Sequence, residues 1–381
     1  MIAAHTMVSC HRLLDIAELV EPDPRVQTVF TVAPDTFNAG VTGHLQRLGA
    51  LVIPWQQAIR ETFDLAVAAA HGGLHQLHAP VLLSAHGAGR ARLVDPIGRG
   101  GLPATGPTVY GLDAPRLIRD GRVVASALAL SHDNEREILA RQCPDAVPLA
   151  VVAGDPCFDR LVASLAERVR YRQALRLSDR QKLVVVSSTW GEDGLFGGVP
   201  ELLPMLMNQL PPDRFRVALL LHPAILGAHG RRQVSAWTRG CREAGMMLAD
   251  SADDWRAYLA AADHLIGDRG SVTAYGAAIG LPVLRVPASR ATRTGPGSPQ
   301  ALVLDAATRL DLTGPLQRQL LAVRPIDHRR VAAAITSRPG RSGYLLRQTM
   351  YRLMRLPESA GDQAAGPAVV AVPGSPVAVG S

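Results

Sequence analysis

Two histidines stand at the ends of apolar runs. Leu82-Leu83-Ser84-Ala85-His86-Gly87-Ala88-Gly89 closes one hydrophobic segment on His86, and Leu219-Leu220-Leu221-His222-Pro223 closes another on His222. An imidazole exchanges a proton near neutral pH, so either can serve as a general base or a hydrogen-bond donor. If each run is a buried strand, its histidine falls at the carboxyl edge of a sheet, where open α/β folds bind ligands. Pro223 ends its strand and fixes the chain direction just after His222. For both histidines the alternative is a structural side chain, satisfied by backbone or merely exposed. A third run, Val184-Val185-Val186-Ser187-Ser188-Thr189-Trp190-Gly191, passes from a strand into hydroxyls and an indole. Ser188 and Thr189 are candidate donors to a phosphate and Trp190 a candidate neighbour of a base; caps of the next turn are the alternative for the hydroxyls.

A fourth stretch, Ala262 to Val286, reads as a short strand (His264 to Gly267), a polar turn and an Ala-rich helix. A Gly-Leu-Pro break and a second strand from Pro282 to Val286 follow. The first turn of a helix carries unpaired N–H groups and about half a positive charge, so an anion docks there without a dedicated cation. Asp268, Arg269, Gly270, Ser271 and Val272 form this turn and are the candidate donor-phosphate contacts; an ordinary βαβ unit is the alternative.

These residues need a scaffold. Short apolar runs at 1–6, 26–32, 51–54, 80–85, 123–130 and 147–152 read as strands, with helical stretches at 10–20, 37–48 and 56–70 between the early ones. Strands alternating with helices predict a parallel, doubly wound sheet. A Gly- and Pro-rich loop from Asp95 to Asp113 is a candidate substrate loop. A second series follows, with strands at 182–187, 216–222 and 246–249 and helices at 201–209, 234–244 and 253–261. The fold class expected is therefore α/β, with two facing Rossmann-like domains, His86 entering the cleft from the first and His222 from the second. The boundaries predicted are 1–157, 158–335, a C-terminal amphipathic helix within 336–357, and a disordered tail over 358–381. In that helix Leu345, Leu346, Met350, Leu353 and Met354 share a side, with Arg347, Arg352 and Arg355 around them. Packing across the domains is the favoured reading, and a helix lying on an anionic membrane surface the alternative.

Composition narrows the function classes. At 381 residues the chain exceeds one ordinary core. No apolar run approaches the roughly 20 residues of a membrane span, and the start shows no signal-peptide pattern. Four scattered cysteines give no zinc or disulfide pattern and suit a reduced cytoplasmic protein. The net charge of +7 suits an anionic substrate or membrane surface, whereas 4% aromatic content and the lack of a basic-aromatic motif argue against nucleic acid. No clustered acidic motif calls for a metal, so no cofactor is expected.

In order, the chain shows strand-His86-Gly87, Gly154-Asp155-Pro156-Cys157-Phe158-Asp159, Ser188-Thr189-Trp190, His222-Pro223 and Asp268-Arg269-Gly270-Ser271. This succession, spread over residues 80 to 290, resembles the CDP-glycerol glycerophosphotransferase (teichoic acid polymerase) family. The resemblance implies a GT-B fold and transfer of a glycerol phosphate or related polyol phosphate from a CDP-linked donor to an acceptor hydroxyl. It implies His86 as catalytic base, His222 as a catalytic residue holding the donor phosphates, and Asp268 and Ser271 at the pyrophosphate-binding helix. It further implies a lipid-linked or polymeric acceptor, a cell-envelope product and a cytoplasmic location with peripheral membrane association. The chain departs from the family pattern at Cys157, where an arginine is usual, and at Arg269 and Gly270, where an aromatic and a serine are usual. The acidic residue expected near Tyr275 has no counterpart, and Arg90 and Arg92 stand where a lysine is common. The donor base, CDP or UDP, and the transferred group, polyol phosphate or glycosyl, therefore stay open. Two alternatives share the fold: a UDP-N-acetylglucosamine 2-epimerase-like isomerase, which needs paired carboxylates in its cleft, and a non-catalytic nucleotide-binding protein.

Overall fold

The computed structural model describes residues 1–95, 106–250, 253–286, 293–358 and 366–368. The chain forms two compact units. The first comprises Met1–Asp159, Arg293–Ser298 and Ala334–Ala365; the second comprises Arg160–Thr292, Pro299–Ala333 and Gly366–Ser381.

The first unit is built on seven parallel strands: β1 (Ile2–Ala4), β2 (Phe30–Val32), β3 (Val52–Ile53), β4 (Ala66–Ala68), β5 (Val81–Leu83), β6 (Ala127–Leu130) and β7 (Ala150–Val152). Their order is β7-β6-β5-β4-β1-β2-β3. Side chains alternate between two cores, as a pleated strand covered on both faces requires. Ile2, Ala4, Val67, Leu82, Ala127 and Ala129 enter one apolar cluster, while Ala3, Ala66, Ala68, Leu83, Leu128 and Leu130 enter the other. Helix α1 (Met7–Ala17) covers the first face, its N-terminus closed by a capping box between Thr6 and Ser9.

The second unit has six parallel strands: β8 (Lys182–Ser188), β9 (Phe215–Leu221), β10 (Met247–Leu248), β11 (His264–Gly267), β12 (Val283–Arg285) and β13 (Thr308–Arg309). Their order is β10-β9-β8-β11-β12-β13. Val184, Val186, Val217, Leu219 and Ile266 share one core with the helix over Leu202–Gln209. Two Rossmann-like units of parallel sheet and helix are thus present, as the alternation of strands and helices predicted.

Several expectations need correction. The stretch at 56–70 is not helical. It holds a short helix at Trp55–Ala58 and then β4, a central strand of its sheet. The run at 147–152 is split between a 3-10 helix over Pro144–Leu149 and β7. The helix expected at 234–244 starts much earlier: α2 runs over Pro223–Trp237, interrupted at Gly230, and a separate short helix covers Arg239–Glu243. The C-terminal helix, α3 (Ser342–Met354), belongs to the first unit. Leu346, Met350 and Tyr351 are buried in the α1-side core, and Arg347 is buried too, donating to the Leu19 carbonyl at 2.5 Å and pairing with Glu358 at 3.1 Å. Its apolar side is therefore covered by protein. Among the described residues, no helix is long and apolar enough to cross a membrane.

Of the candidate loop at 95–113, residues 96–105 lie outside the described residues; Thr108–Val109 pairs antiparallel with Leu93–Val94. The expected tail lies outside them as well, apart from Glu358 and residues 366–368.

Candidate active site residues of the two units

In the first unit His86 follows β5 by three residues and is exposed. Its Nδ1 lies 2.6 Å from the carbonyl oxygen of Ala69. A carbonyl only accepts, so Nδ1 carries the proton and Nε2 keeps the lone pair. The pKa is lowered from the ordinary histidine value, first by loss of hydration in crowded surroundings. The bond to Ala69 opposes that shift, and the positive charges of Arg12 and Arg90 add to it. The result is a neutral imidazole whose basic nitrogen is Nε2.

The supports of this loop are long-range ion pairs. Arg12 on α1 donates to Asp155 at 2.7 and 3.3 Å and to the Gly87 carbonyl at 3.2 Å. Asp155, fully buried, also accepts from the backbone N–H groups of Cys157 and Phe158 at 2.9 and 3.0 Å. The Gly154-Asp155-Pro156 motif is thus a brace for the His86-Gly87 turn. Gly154 has φ +91, and a Cβ there would lie 2.9 Å from the Arg338 carbonyl oxygen, so a side chain is excluded twice. On the other side of the turn Arg90 pairs with Glu135 at 2.8 Å, both nearly buried, and Glu135 also receives the N–H groups of Arg90 and Ser131. Two further histidines at this sheet edge, His5 after β1 and His71 after β4, have lowered pKa values, His71 down to about 3, desolvation leading in both. Sequence reading named Asp155 and Arg90 without their partners, and missed Arg12, Glu135, His5 and His71. Only their positions just past short apolar runs hinted at the histidines.

In the second unit the turn between β11 and the helix α4 (Ser271–Ala278) is organised by Asp268. Its Oδ2 accepts from Thr189 N at 2.7 Å, Thr189 Oγ1 at 2.8 Å and Leu195 N at 2.9 Å, and its Oδ1 accepts from Gly270 N at 3.0 Å. A carboxylate with four donors is held inside the protein. Asp268 is therefore a positioning residue. The single hydroxyl protons of Ser188 and Thr189 are also spent within the chain, on the Thr189 carbonyl at 2.7 Å and on Asp268. Ser188 Oγ further accepts from Phe196 N at 2.8 Å. Ser188 and Thr189, the candidate phosphate donors, thus make these contacts within the chain. Trp190 is exposed on the same loop, at 43%. Arg269 donates to the Asp193 carbonyl at 3.0 Å, tying the turn to that loop.

Gly270 is the N-cap of α4, with φ −70, where a Cβ would meet Thr189 Cγ2 at 2.9 Å. The space, not the backbone angle, calls for glycine. No acidic side chain lies in the first turn, which runs through Ser271 and Val272. The first backbone N–H groups of a helix point out of its N-terminal end. His222 caps α2: its Nδ1 accepts from Ala224 N at 3.2 Å, and its own N–H donates to the Ser188 carbonyl at 3.0 Å. An accepting Nδ1 places the proton on Nε2, the opposite tautomer to that of His86. Among the described residues, no group of three or more His, Cys, Asp or Glu side chains could hold a metal ion.

No protein-family model matches the sequence. No curated protein matches it either. Solved structures do. A variant of the wall teichoic acid polymerase TagF aligns with a TM-score of 0.59 at 13% identity, over 93% of this chain and 89% of that one. A second TagF variant, soaked with CDPG, gives 0.55 at 14% identity over 93% and 88%. HepE of Anabaena, in complex with UDP-glucose, gives 0.46 at 13% over 93% and 98%. The chain therefore has the GT-B-like architecture seen in TagF, with two Rossmann-like units.

Proposed function

We propose that this chain is a transferase that moves a polyol phosphate, or a glycosyl group, from a nucleotide diphosphate-linked donor to an acceptor hydroxyl. One observation carries the reading: His86 is a neutral imidazole at a sheet edge, with Nδ1–H spent on Ala69 and Nε2 left as the base. That is the tautomer a general base for a hydroxyl nucleophile needs. A fold alone does not fix a reaction, so the residues must supply the rest. Nε2 of His86 takes the acceptor proton as the hydroxyl oxygen attacks. For a polyol-phosphate donor the new bond is O–P, and the bond from that phosphorus to the nucleotide breaks. The departing nucleotide gains negative charge, which the first turn of α4 and the Nε2–H of His222 are suited to stabilise. Phosphoryl transfer asks chiefly for positioning and charge stabilisation. The TagF likeness supports the polyol-phosphate form of the reading, with CDP as the nucleotide and a cell-envelope polymer as the product. A lipid-linked or polymeric acceptor, and work at the cytoplasmic face of a membrane, belong to the same proposal.

Release of CMP from a CDP-linked polyol, and of UDP from a UDP-sugar, tests it on wild type and His86→Ala. Removal of the base is expected to lower turnover by about 2–4 orders of magnitude. An active wild type with an equally active His86→Ala protein overturns the assignment.

A further inference from the structure

The reading of His86 as base leaves open what holds the acceptor, and the first unit carries a feature it does not use. Tyr110 follows the strand Thr108–Val109, and its N–H donates to the Arg92 carbonyl at 2.8 Å, which fixes the two residues side by side. Two guanidinium groups lie over its ring, Arg116 at 4.4 Å from the centroid and Arg92 at 5.6 Å. Arg116 is held there by Asp113 at 2.6 Å, and Asp113, buried, is itself fixed by the Gly111 N–H at 3.1 Å. Arg92 is exposed and, among the described residues, forms no ion pair with an acidic side chain. The neighbourhood is that of the base: His71 packs edge-on to Tyr110 with ring centroids 5.8 Å apart, and the charges it feels include His86, Arg90 and Arg116. Arg90 is the residue whose backbone and side chain Glu135 anchors just after the His86 turn. The positive charge of Arg90 and Arg116 is balanced by Glu135 and Asp113, whereas that of Arg92 meets no carboxylate among the described residues.

We propose that Arg92 and Arg116, ordered over Tyr110, form a clamp for a phosphate group on the acceptor, next to the hydroxyl that His86 deprotonates. An aromatic ring under two guanidinium planes keeps both pre-ordered, so little side-chain freedom is lost when an anion is gripped. Arginine suits a phosphate because its fork donates two parallel hydrogen bonds. The chemistry of the proposed reaction gives the clamp a use. Adding a polyol phosphate to a hydroxyl yields a phosphodiester that ends in a fresh hydroxyl, so a site that requires a nearby phosphate favours an acceptor already extended over a bare one. The clamp rests on the transferase reading for its purpose, yet its affinity for phosphate is measurable without turnover.

The experiment uses the full chain and two acceptor probes, glycerol and glycerol 1-phosphate, with a CDP-linked polyol as donor. Wild type is expected to prefer the charged probe in kcat/KM, and Arg92→Ala to reduce that preference about 10-fold or more, the scale of a lost charge-assisted hydrogen bond. Arg92→Lys is expected to restore part of it, and Arg330→Ala, an exposed arginine of the second unit, to leave it unchanged. An equal fall with both probes, or a rise in KM for the donor instead, overturns the clamp. Calorimetric binding of glycerol 1-phosphate gives the second readout. If no donor is turned over, weaker binding by Arg92→Ala than by wild type still upholds the clamp while the transferase reading fails. Equal binding by the two proteins overturns it.

Discussion

At the scale of single residues, the two strand-end histidines have been given opposite tautomers by their surroundings. Ala69 offers His86 an acceptor, so its Nε2 is the basic nitrogen; Ala224 offers His222 a donor, so its Nε2 carries the hydrogen. The same residue type is thereby fitted for a base in one place and for a hydrogen-bond donor in the other. The lowered pKa of His86 sets a pH dependence. A base works only when unprotonated, and a pKa below the ordinary 6.5 keeps it unprotonated further into acid. The acid limb of kcat/KM is therefore expected to fall below pH 6.5, measured with a donor whose own phosphates do not titrate in that range. A limb at or above 6.5 contradicts the environment described for His86. The positions of both histidines were legible in the sequence because an apolar run followed by a break marks a sheet edge. Their tautomers were not, since each depends on one backbone group brought in by folding.

At the scale of elements, the turn from β11 into α4 shows why a departure from a family pattern can be structural. A serine at 270 would place its Cβ 2.9 Å from the Thr189 methyl. Gly270→Ser is expected to push that turn away from the loop carrying Thr189 and to weaken calorimetric binding of a nucleoside diphosphate. Thr189→Ser keeps the hydroxyl that donates to Asp268 and removes only Cγ2, so the double variant should recover most of the loss. Failure of the second change to rescue the first would show that Gly270 matters for another reason. The strands around this turn were legible because each carries an apolar run, at 183–186 in β8, 217–221 in β9 and 265–266 in β11. By contrast β4, in an Ala-rich stretch, was misread as helix. Alanine favours helix locally, and its place in the centre of the sheet overrides that preference. The braces Arg12–Asp155, 143 residues apart, and Arg90–Glu135, 45 apart, carry no local signal at all.

At the scale of the whole molecule, the chain returns twice to its first unit after entering the second. Residues 293–298 pair there, with Leu93 N donating to the Arg293 carbonyl at 2.9 Å and Gly295 N to the Ala91 carbonyl at 2.7 Å, and residues 334–358 close the core. Helix α3 is fixed at its start by Asp159, which accepts from Gly340 N at 2.8 Å and Ser342 N at 3.1 Å. Along its length Tyr351 donates to Asp23 at 2.6 Å, and Met350 is fully buried. The first core therefore is complete only when the last helix arrives, although its other elements lie within the first 159 residues. Met350→Ala is expected to lower the stability of the first unit by about 2–5 kcal/mol, the range for emptying a buried side chain. Arg352→Glu, on the exposed side, should change it by no more than about 0.5 kcal/mol. Denaturant unfolding followed by circular dichroism measures both. A helix reserved for a membrane surface would give the reverse: unchanged stability for Met350→Ala, and loss of recovery with anionic vesicles for both variants. Burial of the apolar side against α1 argues for the first outcome, and vesicle flotation of the same two proteins reads the second directly.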